Sequence, residues 1–196
     1  EHRNLMILGD PGAGKSTLLR YLTLVAARTT ANNQMQITDS STSSSTLSSR
    51  LESNQEGIGL SPSVGGIVLG LPILIRLSSF ARSEQSFIEY CETYAEKQLH
   101  VSLSKKFFEN ALEDGQAIMC LDGLDEVPQP AQRIEIRNAI TVLAARYPQN
   151  RFIVTSRMAG YDSASLDKSR FAHHTILPLG EKEIQSFGNF FLQFHF

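Results

Sequence analysis

Cysteine is scarce in this chain, with two among 196 residues. Cys91 and Cys120 both sit inside apolar runs and lack the spacing of a metal site, so the pattern reads as a reduced, cytoplasmic protein. An excess of one charge is lacking too: 18 Lys and Arg stand against 20 Asp and Glu, for a net charge of −2. That balance argues against a surface that coats nucleic acid, which needs a basic surplus to release counterions. Long apolar runs are also missing. The longest, residues 67–77, is broken by Gly70 and Pro72 and carries Arg76. It is far shorter than the roughly 20 residues of a membrane-spanning helix. Residues 1–4 are polar and the apolar run behind them covers only residues 5–8, so no secretory signal is expected. No internal repeat is visible.

Hydrophobic residues make up 41% of the chain and charged residues 19%, a globular composition. A chain of this length buries well over half of its unfolded surface without a disulfide or metal staple. One domain is expected over residues 1–180, and residues 181–196 read as the start of a truncated helical region. The chain opens without Met almost directly on a strand and stops at Phe-His-Phe, which reads as a segment of something longer.

Short apolar runs alternate with amphipathic stretches. Strands are expected at residues 4–8, 73–77, 117–121, 152–155 and 175–177. Helices are expected at 15–28, 85–99, 105–113 with Ser104 as N-cap, 131–146 and 181–193. Between residues 38 and 50, ten of thirteen positions are Ser or Thr. Such a stretch has little to bury, so residues 32–63 are read as a mobile surface loop. The alternation predicts an α/β fold, a three-layer α/β/α sandwich around a mostly parallel five-stranded sheet. A ligand then belongs at the carboxyl ends of the strands.

One octapeptide carries the chemistry. Gly9-Asp10-Pro11-Gly12-Ala13-Gly14-Lys15-Ser16 fits Gly-x-x-x-x-Gly-Lys-Ser/Thr without a mismatch. Glycines at 9, 12 and 14 let the backbone wrap tightly and turn its N–H groups inward as an anion nest. The helix that follows adds the positive end of its dipole. Lys15 is then placed to reach the β and γ phosphates, and the Ser16 hydroxyl to ligate Mg²⁺. A glycine-rich turn that fits the pattern by chance is the competing reading. The apolar strand before it and the apolar helix after it argue against that.

A second element stands apart in the chain. Residues 117–121 are wholly apolar and run straight into Asp122, then Gly123-Leu124-Asp125-Glu126. A carboxylate at the end of a buried strand is costly unless something positive meets it. Asp122 is therefore read as a Mg²⁺ ligand together with Ser16, from a neighbouring strand end. Asp125 and Glu126 are both placed to orient or deprotonate an attacking water. The competing reading is an acidic turn capping the next helix; it accounts for Asp125 or Glu126 but not for Asp122. His173-His174 cannot share one ion, because adjacent strand residues point to opposite faces. Tyr161 and Asp162 read as local packing and turn formation.

The motif at residues 9–22, the strand at 71–77, the acidic run at 120–128 and Arg-Phe-Ile-Val-Thr-Ser-Arg at 151–157 together resemble the NACHT NTPase family over residues 5–191. That family belongs to the STAND class and includes the switch ATPases of NOD-like receptors and of bacterial antiphage proteins. The resemblance implies an ATP/ADP-binding signalling module that hydrolyses slowly. It places Thr17 near the α phosphate, Arg76 beside the γ phosphate, and Arg157 as a sensor of γ-phosphate loss. It leaves Asp10 and Pro11 to shape the loop. It also implies flanking helical, winged-helix, sensor and effector domains in the parent chain, and assembly with neighbouring copies on activation. The phosphate motifs do not choose between ATP and GTP; the resemblance favours ATP. Two other readings stand beside it: a motor ATPase of another P-loop class, and a nucleotide-binding scaffold without turnover. No Leu-Ser-Gly-Gly-Gln-like signature of a transporter ATPase occurs.

Overall fold

The structure, a computed structural model, describes residues 3–40, 63–64, 67–68, 70–159, 161–178, 180, 182 and 185. Five strands form one sheet: β1 (Asn4–Leu8), β2 (Leu71–Arg76), β3 (Ala117–Asp122), β4 (Arg151–Ser156) and β5 (Phe171–Thr175). Their order across the sheet is β2-β3-β4-β1-β5, and every pairing is parallel. The four principal helices are α1 (Lys15–Ser40), α2 (Phe87–Leu99), α3 (Lys105–Glu113) and α4 (Pro130–Arg146). The result is a three-layer α/β/α sandwich of the P-loop type.

Period-two alternation sorts the side chains between two cores. Ile7, Ile118, Cys120 and Ile153 pack with Leu19 and Ala26 of α1 on one face. Met6, Met119, Leu121, Phe152 and Val154 pack on the other, against Ile136 and Ile140 of α4 and Phe87, Phe108 and Leu112 of α2 and α3. Each such side chain contributes roughly 1.5–3 kcal/mol by leaving water. The same alternation turns the odd man out of each strand end, Asp122 and Thr155, toward the α1 face. That geometry is what builds the site.

Several boundaries differ from the sequence reading. Helix α1 continues to Ser40 rather than ending near residue 28. No Gly or Pro follows Lys15 before Gly57, and the Thr29 and Thr30 hydroxyls donate to the Val25 and Ala26 carbonyls within the helix. The remainder of the expected loop, residues 41–62, lies outside the described residues, as does most of the expected helix at 181–193. Strand β2 starts two residues early and takes in Pro72, which an edge strand tolerates. Strand β5 ends where the strand at 175–177 was expected to begin. It is the other edge, so His174 and Thr175 can face outward, and only the Ile176 N–H still donates to Leu8 O, at 2.8 Å. His173 and His174 fall on opposite faces, and His173 Nε2 lies 2.7 Å from the Tyr161 hydroxyl. Among the described residues, no group of three or more His, Cys, Asp or Glu could hold a metal ion, and no helix is long and apolar enough to cross a membrane.

The helix caps are local and legible. Ser104 accepts from the Phe107 N–H as expected. Ser86 forms a reciprocal capping box with Glu89, a Ser-x-x-Glu signal that the sequence reading passed over. Those Ser86 hydrogen bonds, helped by Lys105, hold the Glu89 carboxyl at about 2.

Candidate nucleotide site

The chain leaves β1 through residues 9–14 and enters α1. Gly12 and Gly14 have φ of +81° and +87°, and a Cβ at either would meet nothing within 4 Å. Glycine is needed there for backbone conformation, not for space. Gly9 differs: a Cβ there would come 3.2 Å from that of Ala13, so close packing requires it. Asp10 shapes the loop through its carbonyl, which accepts from Ala13 N at 3.1 Å and Lys15 Nζ at 2.9 Å. Helix α1 has no acidic residue in its first turn, so its positive end remains open to an anion.

A cavity of about 270 Å³ opens above this loop. Pro11, Gly12, Gly14, Lys15, Ser16 and Thr17 line one side. Asp122, Gly123, Asp125, Glu126, Thr155 and Arg157 line the other. Of the residues expected at the site, Gly9, Asp10, Ala13 and Arg76 do not line it. Lys15 folds back, donating to Gly9 O at 2.7 Å and to Asp10 O, which leaves one of its three protons uncommitted.

The structure brings Ser16 and Asp122 together, with Ser16 Oγ donating to Asp122 Oδ1 at 3.1 Å. They do so across an intervening strand, since β4 separates β1 from β3. The strand end carrying Asp122 is therefore not the immediate neighbour of β1. Adjacent oxygens around an octahedral Mg²⁺ lie about 3 Å apart, given metal–oxygen distances of 2.0–2.1 Å. The Ser16–Asp122 pair fits one edge of that octahedron. Two protein oxygens completed by water and phosphate are also how magnesium is usually held.

The intervening strand supplies a residue that sequence reasoning missed. Thr155 is fully buried, donates to Asp122 Oδ1 at 2.7 Å and accepts from Gly123 N at 2.8 Å. It fixes the carboxylate and the turn behind it with one hydroxyl. The signal was available: like Asp122, it is a polar residue that directly follows an apolar strand run, here residues 152–154. Thr155→Val keeps the shape, leaves the Gly123 N–H without its acceptor and removes one of the two donors to Asp122 Oδ1. It is expected to destabilise the fold by about 1–3 kcal/mol, measured by urea denaturation; an unchanged midpoint would show that the two hydrogen bonds are replaceable.

The acidic pair separates cleanly. Asp125 is committed to Arg157, accepting from its N–H at 2.8 Å on Oδ1 and from its Nε at 3.0 Å on Oδ2. Glu126 is exposed, its carboxylate has no hydrogen-bond partner among the described residues, and it folds over Gly123, where a Cβ would lie 2.9 Å from its Cδ. Gly123 has φ of +77°, which glycine adopts freely. From α4, Arg133 donates to the carbonyls of Asp125 and Val127 at 3.1 and 2.9 Å and braces this turn.

No family model matches this sequence, and no curated protein matches it.

Proposed function

We propose that the chain is a nucleoside-triphosphate-binding module of the NACHT type, which hydrolyses its nucleotide slowly and serves as a switch within a larger signalling or defence protein. The observation that carries the reading is the meeting of Ser16 and Asp122 at 3.1 Å beneath a glycine-built loop and a helix start with no acidic residue in its first turn. In this reading the loop N–H groups and Lys15 hold the phosphates. Ser16 and Asp122 hold Mg²⁺, which supplies charge neutralisation at the β and γ phosphates when bound. Glu126, the free carboxylate, orients the attacking water and takes its proton. Arg157 stays partly exposed, with its terminal nitrogens free to meet a γ phosphate while Asp125 holds Nε. ATP and ADP are the favoured nucleotides on resemblance alone, and GTP is a direct comparison in the test.

Thermal melting in Mg–ADP and Mg–ATP tests the reading. At about 100 times Kd a ligand adds about 2.7 kcal/mol, or roughly 5–10 °C in a domain of this size. Lys15→Ala is expected to abolish the gain. A gain that persists in a Lys15→Ala, Ser16→Ala double variant would sink the site.

A further inference from the structure

A second cavity of about 300 Å³ lies beside the first, and Asp122 lines both. Two arginines, both exposed, line it. Arg20 stands one turn after Ser16 on α1, the spacing that stacks side chains on one helix face. Arg76 ends β2 directly opposite Asp122 in the parallel ladder, so both point to the α1 face. Ser79 and Tyr90 complete the polar wall.

Neither arginine has a carboxylate at ion-pair distance among the described residues, where the two pairs are Lys105–Glu89 and Arg157–Asp125. Asp122, which lines the same cavity, forms no ion pair with either. Two arginines on one concave wall raise the local potential toward anions, although solvent screens exposed charges and Asp122 on the same wall opposes them. Guanidinium forks match phosphate oxygens bidentately and remain charged across the physiological range. The sequence resemblance had set Arg76 beside the γ phosphate. In the structure it lies opposite Asp122 and lines this second cavity.

We propose that this cavity is a second oxyanion site, which takes a phosphoryl group through Arg20 and Arg76. Two sources share that chemistry. One is free inorganic phosphate, including the phosphate released by hydrolysis next door; the other is the terminal phosphate of a nucleotide reaching past Asp122. The site does not depend on the nucleotide reading, although both nucleotide-derived sources do.

The test titrates inorganic phosphate into the whole chain by calorimetry, once with Mg–ADP saturating the first cavity and once with the Lys15→Ala variant. Phosphate is expected to bind in both, and Arg20→Ala or Arg76→Ala to weaken it roughly tenfold or more by removing a charge-assisted contact. Lysine at either position restores it only in part, because the fork is lost. Absent phosphate binding, with weaker triphosphate but unchanged diphosphate affinity in the alanine variants, assigns the nucleotide's own phosphate as the source. Phosphate binding lost in Lys15→Ala yet indifferent to Arg76→Ala overturns the proposal, and so do unchanged affinities for phosphate and both nucleotides. Failure of the nucleotide reading shows separately, as no thermal shift with Mg–ADP while phosphate still binds the Lys15→Ala variant.

Discussion

Glu126→Gln is expected to slow nucleotide hydrolysis by about 10²–10⁴-fold, the usual contribution of a positioned general base, with Mg–ATP binding retained. The two adjacent acids are equivalent on paper and differ in space. A base must have a lone pair facing the reacting water, and both oxygens of Asp125 already accept from Arg157. Its side chain is 10% exposed, whereas Glu126 is exposed on the cavity wall. Glutamine preserves the size of Glu126 and cannot take a proton at neutral pH. Asp125→Asn keeps an oxygen for the Arg157 N–H but loses both the charge and the acceptor opposite Nε. A loss of less than about tenfold is expected there, because a half-exposed ion pair contributes little. Phosphate-release assays beside thermal shifts with Mg–ATP give both readouts. Wild-type turnover in Glu126→Gln, or a deeper loss in Asp125→Asn than in Glu126→Gln, would reverse the assignment.

What the sequence disclosed about this site came from local rules. The glycine loop demands backbone conformations that Gly12 and Gly14 alone satisfy cheaply, so their spacing is visible in one dimension. Asp122 was visible because a carboxylate after five apolar strand residues has no bland explanation. What stayed hidden depends on which strands are neighbours. Nothing in the chain announces that β4 lies between β1 and β3, so Thr155 could not be placed under Asp122, nor Arg157 against Asp125. The same limit hid the surroundings of Arg76: being at a strand end is local, but lining a cavity with Arg20 is a property of sheet order and helix placement. Edge strands were the least legible, since β2 and β5 are paired on one side only and their composition is free to drift toward proline and histidine.

Asp122→Asn separates structural from electrostatic roles at the same carboxylate. The asparagine carbonyl still accepts from the Ser16 and Thr155 hydroxyls, which both address Oδ1. Thermal stability without ligand is therefore expected to stay close to wild type. The charge is gone, however, and a neutral amide is a poor partner for a hard dication. Charge stabilisation of phosphoryl transfer by a metal amounts to several kcal/mol, and each 1.36 kcal/mol is a factor of ten in rate. Hydrolysis is expected to fall by about a thousandfold, and the magnesium concentration for half-maximal rate to rise. Asp122→Ala makes the contrast: it also strands the buried Thr155 hydroxyl, so it should lower the melting temperature as well as the rate. A magnesium titration of the hydrolysis rate beside ligand-free melting curves resolves the two. Unchanged magnesium dependence in Asp122→Asn would mean that the 3.1 Å contact with Ser16 only ties a strand end to a helix start, and the proposed function would lose the observation on which it stands.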